Sequence, residues 1–193
     1  MPTAAPSPAR RRDAVAHRER ILQAARSVLS EQPRAGLAVV AAASGLTRTT
    51  VYAHYRSREA LVDALVERTI ADGVTAWDAR GPHPDPVAAV EDHLRSSWRS
   101  LAGEASLLEA ASDALGADRL AELHAPLQQR VGALLEQGRA AGALAADVAL
   151  SFQVRTWFAL VHEAGREHGD DGAQTEESLV RTLLRALGAD GPP

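Results

Sequence analysis

The 193-residue sequence predicts an all-α protein of about nine helices, a three-helix helix-turn-helix domain followed by a C-terminal helical bundle. Apolar residues recur at i, i+3, i+4 and i+7 from near residue 13 almost to the end, the period of a helix with one buried face. Strand signals are missing: β-branched residues do not alternate with polar ones, and no Asn-Gly or Asp-Gly pair marks a hairpin. Glycines and prolines fall where the periodic runs stop.

Residues 1–12 read as a disordered, basic N-terminal tail. The first nine are rich in Pro, Ala and Ser and bury too little to pack, and Arg10, Arg11 and Arg12 follow them. The first helix is expected over about residues 13–30, with Ile21, Leu22, Ala25, Val28 and Leu29 as its stripe and Pro33 beyond its end. A short helix over about 37–44 leads to Gly45, and a third covers about 48–55. The fourth opens near Ser57, whose hydroxyl can cap it, and presents Val62, Leu65, Val66, Ile70, Val74 and Trp77. Pro82, Pro84 and Pro86 cannot continue it.

Asp85 before Pro86 is a cap followed by proline at the first helical position. It opens a fifth helix with Val87, Val90, Leu94, Trp98 and Leu101 inside. The sixth covers about 104–115. A turn then leads to Pro126, read as the start of a seventh helix that Gly142 stops. Asp147 is read as the cap of the eighth, which runs to about residue 168. After a loop over 169–172, the ninth covers about 175–187, with acids first and arginines last as the helix dipole favours.

Composition excludes several chemistries. The chain has no cysteine, so disulfides, thiolate metal sites and cysteine nucleophiles are out. It has no lysine either: all 21 basic residues are arginines, which excludes a lysine Schiff base and a lysine-dependent phosphate loop. His162 and His168 are six residues apart and fall on different helix faces, so they cannot chelate one metal. The run 169–172 is too short for a calcium loop. No enzymatic role, metal or cofactor is expected. The start lacks the apolar core of a signal peptide and no apolar run spans a membrane, so a cytoplasmic location is expected.

The net charge of −4 argues weakly against nucleic acid, but its distribution reverses that argument. Residues 1–60 hold 10 Arg against 4 acids, a balance of +6. Residues 61–193 hold 11 Arg against 21 acids, a balance of −10. A basic first third joined to an acidic remainder suggests two tasks.

The region 37–61 carries the sharpest signal. A short helix, a turn with glycine and a second short helix make a helix-turn-helix. Gly45 can take the positive φ of a sharp corner, Leu46 plugs the angle, and Thr47 can cap the next helix. Val51 and Tyr55 share an inward face, while Arg48 and Tyr52 share the outward one. An outward arginine at the start of such a helix can reach a guanine edge bidentately. Thr47, Thr50, Tyr52 and His54 carry polar groups that suit phosphate oxygens. Arg10–Arg12 read either as an arm for a minor groove or phosphates, or as a plain solvated tail.

Ile21-Leu22-x-Ala24-Ala25, followed by Val40-Ala41-x-x-Ser44-Gly45-Leu46-Thr47-Arg48-Thr49-Thr50-Val51-Tyr52-x-His54-Tyr55-x-Ser57-Arg58-Glu59-Ala60-Leu61, closely resembles the tetracycline-repressor (TetR) family of bacterial transcription regulators. The resemblance implies a DNA-binding domain over 13–56 and a ligand-sensing, dimerising domain over 57–193. It implies that Thr47, Arg48 and Thr49 face the operator, and that Thr50, Tyr52, His54 and Arg58 hold phosphates. The chain departs from the pattern at Gly36, where Ser or Thr usually caps, at Val39, where an acid is common, and at Tyr55, usually phenylalanine.

The same resemblance implies a homodimer through the last two helices. Leu179, Val180, Leu183, Leu184 and Leu187 form a wide stripe, and the eighth helix is apolar round most of its surface, which also favours a partner chain. A two-fold pair of reading helices suits a palindromic operator. Trp77, His93, Trp98, Phe152, Arg155, Trp157 and His162 are candidates to line a pocket for an unidentified small-molecule effector. The function expected is a ligand-responsive repressor that a small molecule releases from DNA. The alternative is a helical protein–protein interaction module without sequence-specific DNA binding.

Overall fold

A computed structural model describes residues 8–102, 104–166 and 172–189. Among them are nine α-helices and no strand: α1 (Pro8–Glu31), α2 (Leu37–Ser44), α3 (Arg48–His54), α4 (Arg58–Asp78), α5 (Pro86–Leu101), α6 (Ala105–Ala114), α7 (Ala117–Ala140), α8 (Leu150–Arg166) and α9 (Gly172–Ala186). The all-α expectation and the helix count therefore agree with the structure. Residues 1–7 and 169–171, read as tail and loop, lie outside the described residues.

Three helix boundaries differ from expectation. First, α1 begins at Pro8, so Arg10, Arg11 and Arg12 belong to its first turns instead of a disordered tail. Proline is at home in a first turn, where its missing N–H has no helical partner to lose, and residues 9–17 contain no breaker. Second, α7 starts at Ala117, and Pro126 lies inside it. Leu123 is buried in the core and Leu120 packs against it, which holds the first turns in place. Pro126 is exposed, so the carbonyl it frees can turn to water.

Third, Asp147 does not cap α8. The Ala149 carbonyl accepts from the Phe152 and Gln153 amides at 2.9 and 3.1 Å. The preceding turn is held by Arg139, which donates to the carbonyls of Val148 at 2.6 Å and Ala146 at 3.0 Å and to Gln153 Oε1 at 2.9 Å. Gln153, only 1% exposed, completes this network through the Ala145 carbonyl.

The chain packs around two cores. The first joins Ile21, Leu29, Val40 and Val51 to Leu61 and Leu65 of α4 and Leu107 and Ala111 of α6. The second joins Val90 and Leu94 of α5 to Leu135, Trp157, Leu179 and Leu183. The first core thus crosses residue 57: α4 and α6 share their apolar faces with the helix-turn-helix. The apolar stripe of α9 is also largely spent inside the chain, with Leu179, Val180, Leu183 and Leu187 all buried.

Candidate nucleic-acid interface and ligand cavity

The helix-turn-helix is set by local chemistry. Gly45 ends α2 at φ 64°, the left-handed region where a side chain is strained. Arg20 of α1 donates to the Ser44 carbonyl at 2.9 Å and ties down that corner. Gly36 starts α2 with no side-chain cap. Thr47 caps α3 by accepting from the Thr50 amide at 3.2 Å, and the two hydroxyls share a hydrogen bond at 2.8 Å. Val51 and Tyr55 are buried, which fixes the rotation of α3. Arg48, Thr49 and Tyr52 consequently stand in solvent on the opposite face, Tyr52 at 47% exposed.

His54 is half-buried, its ring edge-on to His17 at 6.2 Å. Burial, then the neighbouring His17 and Arg18, hold its pKa below the ordinary histidine value, which favours a neutral ring. A neutral ring still offers one N–H to a phosphate. Arg58 is placed differently. Its guanidinium donates to the Pro33 carbonyl at 2.6 Å and pairs with Asp113 of α6 at 3.4 Å, with its side chain 18% exposed. It is tied into the fold, not presented with Arg48.

Behind the helix-turn-helix, α4 leads to a two-lobed cavity among α4, α5, α6, α7 and α8. The narrower lobe has a volume of ≈ 90 Å³ and the wider ≈ 340 Å³. Thr69, Ile70, Leu101, His124, Phe158 and His162 line both, so the lobes adjoin. In the narrow lobe, Trp77 stacks on His93 with centroids 3.8 Å apart, and Trp157 lies 6.2 Å from Trp77. Burial, then Arg80, lowers the pKa of His93. His162 meets the ring of His124 edge-on at 5.3 Å. Burial first, then His124 and Arg166, lowers His162 to about 4.

Residues 21–65 match the family model of bacterial regulatory proteins, tetR family. This segment is a tetR-family helix-turn-helix. Residues 21–65 are accordingly a DNA-binding element of the kind that bacterial regulatory proteins carry. A fatty acid degradation regulator, FadR, from Bacillus halodurans superposes with a TM-score of 0.76 at 17% identity, over 94% of this chain and 97% of that one. FadR from Bacillus subtilis, solved in complex with stearoyl-CoA, gives 0.75 at 13% identity over 90% and 99%. A TetR transcriptional regulator from Streptomyces coelicolor gives 0.59 at 25% identity over 88% and 97%. No curated protein matches the chain significantly.

Of the residues picked for the tetR-family reading surface, the structure brings Thr47, Arg48, Thr49, Thr50 and Tyr52 to one end, with His54 half-buried beside them. Of those picked for a pocket, Trp77, His93, Trp157 and His162 line the cavity. Trp98 is 5% exposed and belongs to the second core instead. Phe152 and Arg155 point outward: Phe152 is 55% exposed, and the Arg155 guanidinium lies 5.9 Å above its ring. Both were misplaced because an apolar run in a helix does not say which side faces the bundle. His124, Phe158 and Glu104 line the cavity and were missed. The spacing Phe158–His162, i to i+4, was the available signal for one wall.

Proposed function

We propose that this protein is a ligand-responsive repressor that binds a palindromic operator as a homodimer and is released by a small molecule held in the cavity. The observation that carries this reading is the course of α4. It leaves the helix-turn-helix at Ser57, puts Leu61 and Val62 into the first core, and reaches the cavity wall at Trp77. At 1.5 Å per residue it spans about 30 Å. A ligand that fills the cavity and tilts α4 would move the reading head. By linkage, it must bind the two positions of the helix unequally. A chain of this fold holding stearoyl-CoA supports ligand binding.

Fragments selected from genomic DNA supply the probe, and anisotropy gives its affinity. Arg48→Ala is expected to weaken binding by about 1–3 kcal/mol where it reads a base, and Tyr52→Ala to weaken it through a lost phosphate contact. Log affinity is expected to fall with log salt at about −0.9 per phosphate contacted. Unchanged retention of both variants at low salt would reject DNA reading and favour the interaction module.

A further inference from the structure

The cavity walls are biased in the sense of their hydrogen bonds. Thr69 donates its hydroxyl proton to the Leu65 carbonyl at 3.0 Å, Ser97 to the His93 carbonyl at 2.9 Å, and Ser100 to the Ser96 carbonyl at 3.0 Å. Each hydroxyl keeps only lone pairs for a ligand. His124 Nδ1 lies 2.8 Å from the Leu120 carbonyl, which can only accept, so Nδ1 carries a proton and is spent on that contact. Ser96, Ser112 and Gln128 can serve in either sense.

Two further polar atoms at the walls are buried without a partner: His93 Nδ1, on a residue 9% exposed, and Glu104 Oε2. The other Glu104 oxygen accepts both nitrogens of Arg26 at 2.9 and 2.6 Å. The lining cations are engaged. Arg80 pairs with Asp92 at 3.2 Å, and Arg166 with Glu163 at 3.3 Å. A buried acceptor without a proton carries a desolvation penalty that a donor on a ligand relieves. A carboxylate or phosphate relieves nothing at Glu104 and meets its charge. The stacked Trp77 and His93 rings offer a flat apolar wall.

Resting on the ligand-responsive reading above, we propose that the effector is a planar, apolar molecule bearing a hydrogen-bond donor, a phenolic hydroxyl or an ammonium, which Glu104 Oε2 receives. Anionic ligands are rejected. The same carboxylate holds Arg26 of α1, so a donor arriving at Glu104 touches a joint between cavity and reading head.

The test titrates the full-length protein, without DNA, with four probes that share one ring system: naphthol, naphthylmethylammonium, methoxynaphthalene and naphthoate. Tryptophan fluorescence and calorimetry read the binding. At least one donor-bearing probe is expected to bind about tenfold or more tighter than the ether and the naphthoate. The donor probe preferred identifies hydroxyl or ammonium as the source. Glu104→Gln is expected to weaken that probe about tenfold and to leave the ether unchanged, with a thermal melt confirming the fold. An ether or naphthoate that binds as tightly as the donors overturns the proposal. So does the absence of binding by all four at about 1 mM, or an equal loss for ether and donor in the variant. A donor that binds as expected but leaves an operator complex intact upholds the cavity chemistry and counts against the ligand-responsive reading.

Discussion

Arg58 shows what a residue's type does not reveal about its task. At the start of α4, beside the reading helix, an arginine suits a phosphate as well as it suits a neighbouring carboxylate. The fold decides: Pro33 and Asp113 take the guanidinium, and its Nε is buried without a partner. Arg58→Ala is expected to destabilise the protein by about 1–3 kcal/mol, the cost of removing a half-buried charged partner. Urea denaturation measures it. The slope of log DNA affinity against log salt is expected to stay as in the wild type. A fall in slope of about 0.9 would instead mean a lost phosphate contact. Arg48, exposed on α3 and read as a base contact, is expected to weaken binding without that change of slope.

Helices whose boundaries rest on local chemistry were legible in the sequence. Thr47, Ser57 and Asp85 each cap the helix that follows, through their own side-chain oxygens. Boundaries that rest on tertiary contacts were not. Pro126 looks like a helix start, yet α7 passes through it because Leu120 and Leu123 upstream are held in the core. The cavity follows the same division. Its aromatic wall was legible, but the His124–His162 contact depends on how α7 packs on α8. The burial of His162 in that packing, with His124 beside it, has a measurable consequence. His162 falls from the ordinary value of 6.5 to about 4, so below pH 6.5 the unfolded chain takes a proton there that the folded chain refuses. Its contribution to stability is present above 6.5 and is lost as pH falls toward 4, by on the order of 3 kcal/mol. His162→Gln is expected to remove most of that loss between these limits. His93 and His54 shift the same way and remain in both proteins. Denaturation curves of the two across pH 4–7 give the comparison, and parallel profiles would place the ring in water.

At the scale of the whole molecule, the charge split at residue 60 separates a basic reading end from an acidic remainder, while the packing does not separate there at all. Arg26 to Glu104 and Arg119 to Asp63 tie α1 to the start of α6 and α4 to α7, so the reading head is bonded to the helices that enclose the cavity. The proposed dimer rests on less than the sequence suggested. Most of the α9 stripe is consumed within one chain, and what remains outward on α8 is Phe152, with Leu160 of α8 and Leu184 of α9 half-buried. In the proposed dimer this large apolar ring meets its own copy across the two-fold axis, which is how isologous contacts form. Phe152→Asp replaces it with a charge and, because the ring makes no core contact, leaves the fold in place. Sedimentation is expected to show the wild type as a dimer and the variant as a monomer at the same concentration. DNA affinity is expected to fall by about 100-fold or more, since two linked reading heads gain at least that much from acting together. A variant that stays dimeric, or a monomer that binds the operator as tightly as the wild type, would remove the two-fold arrangement from the mechanism.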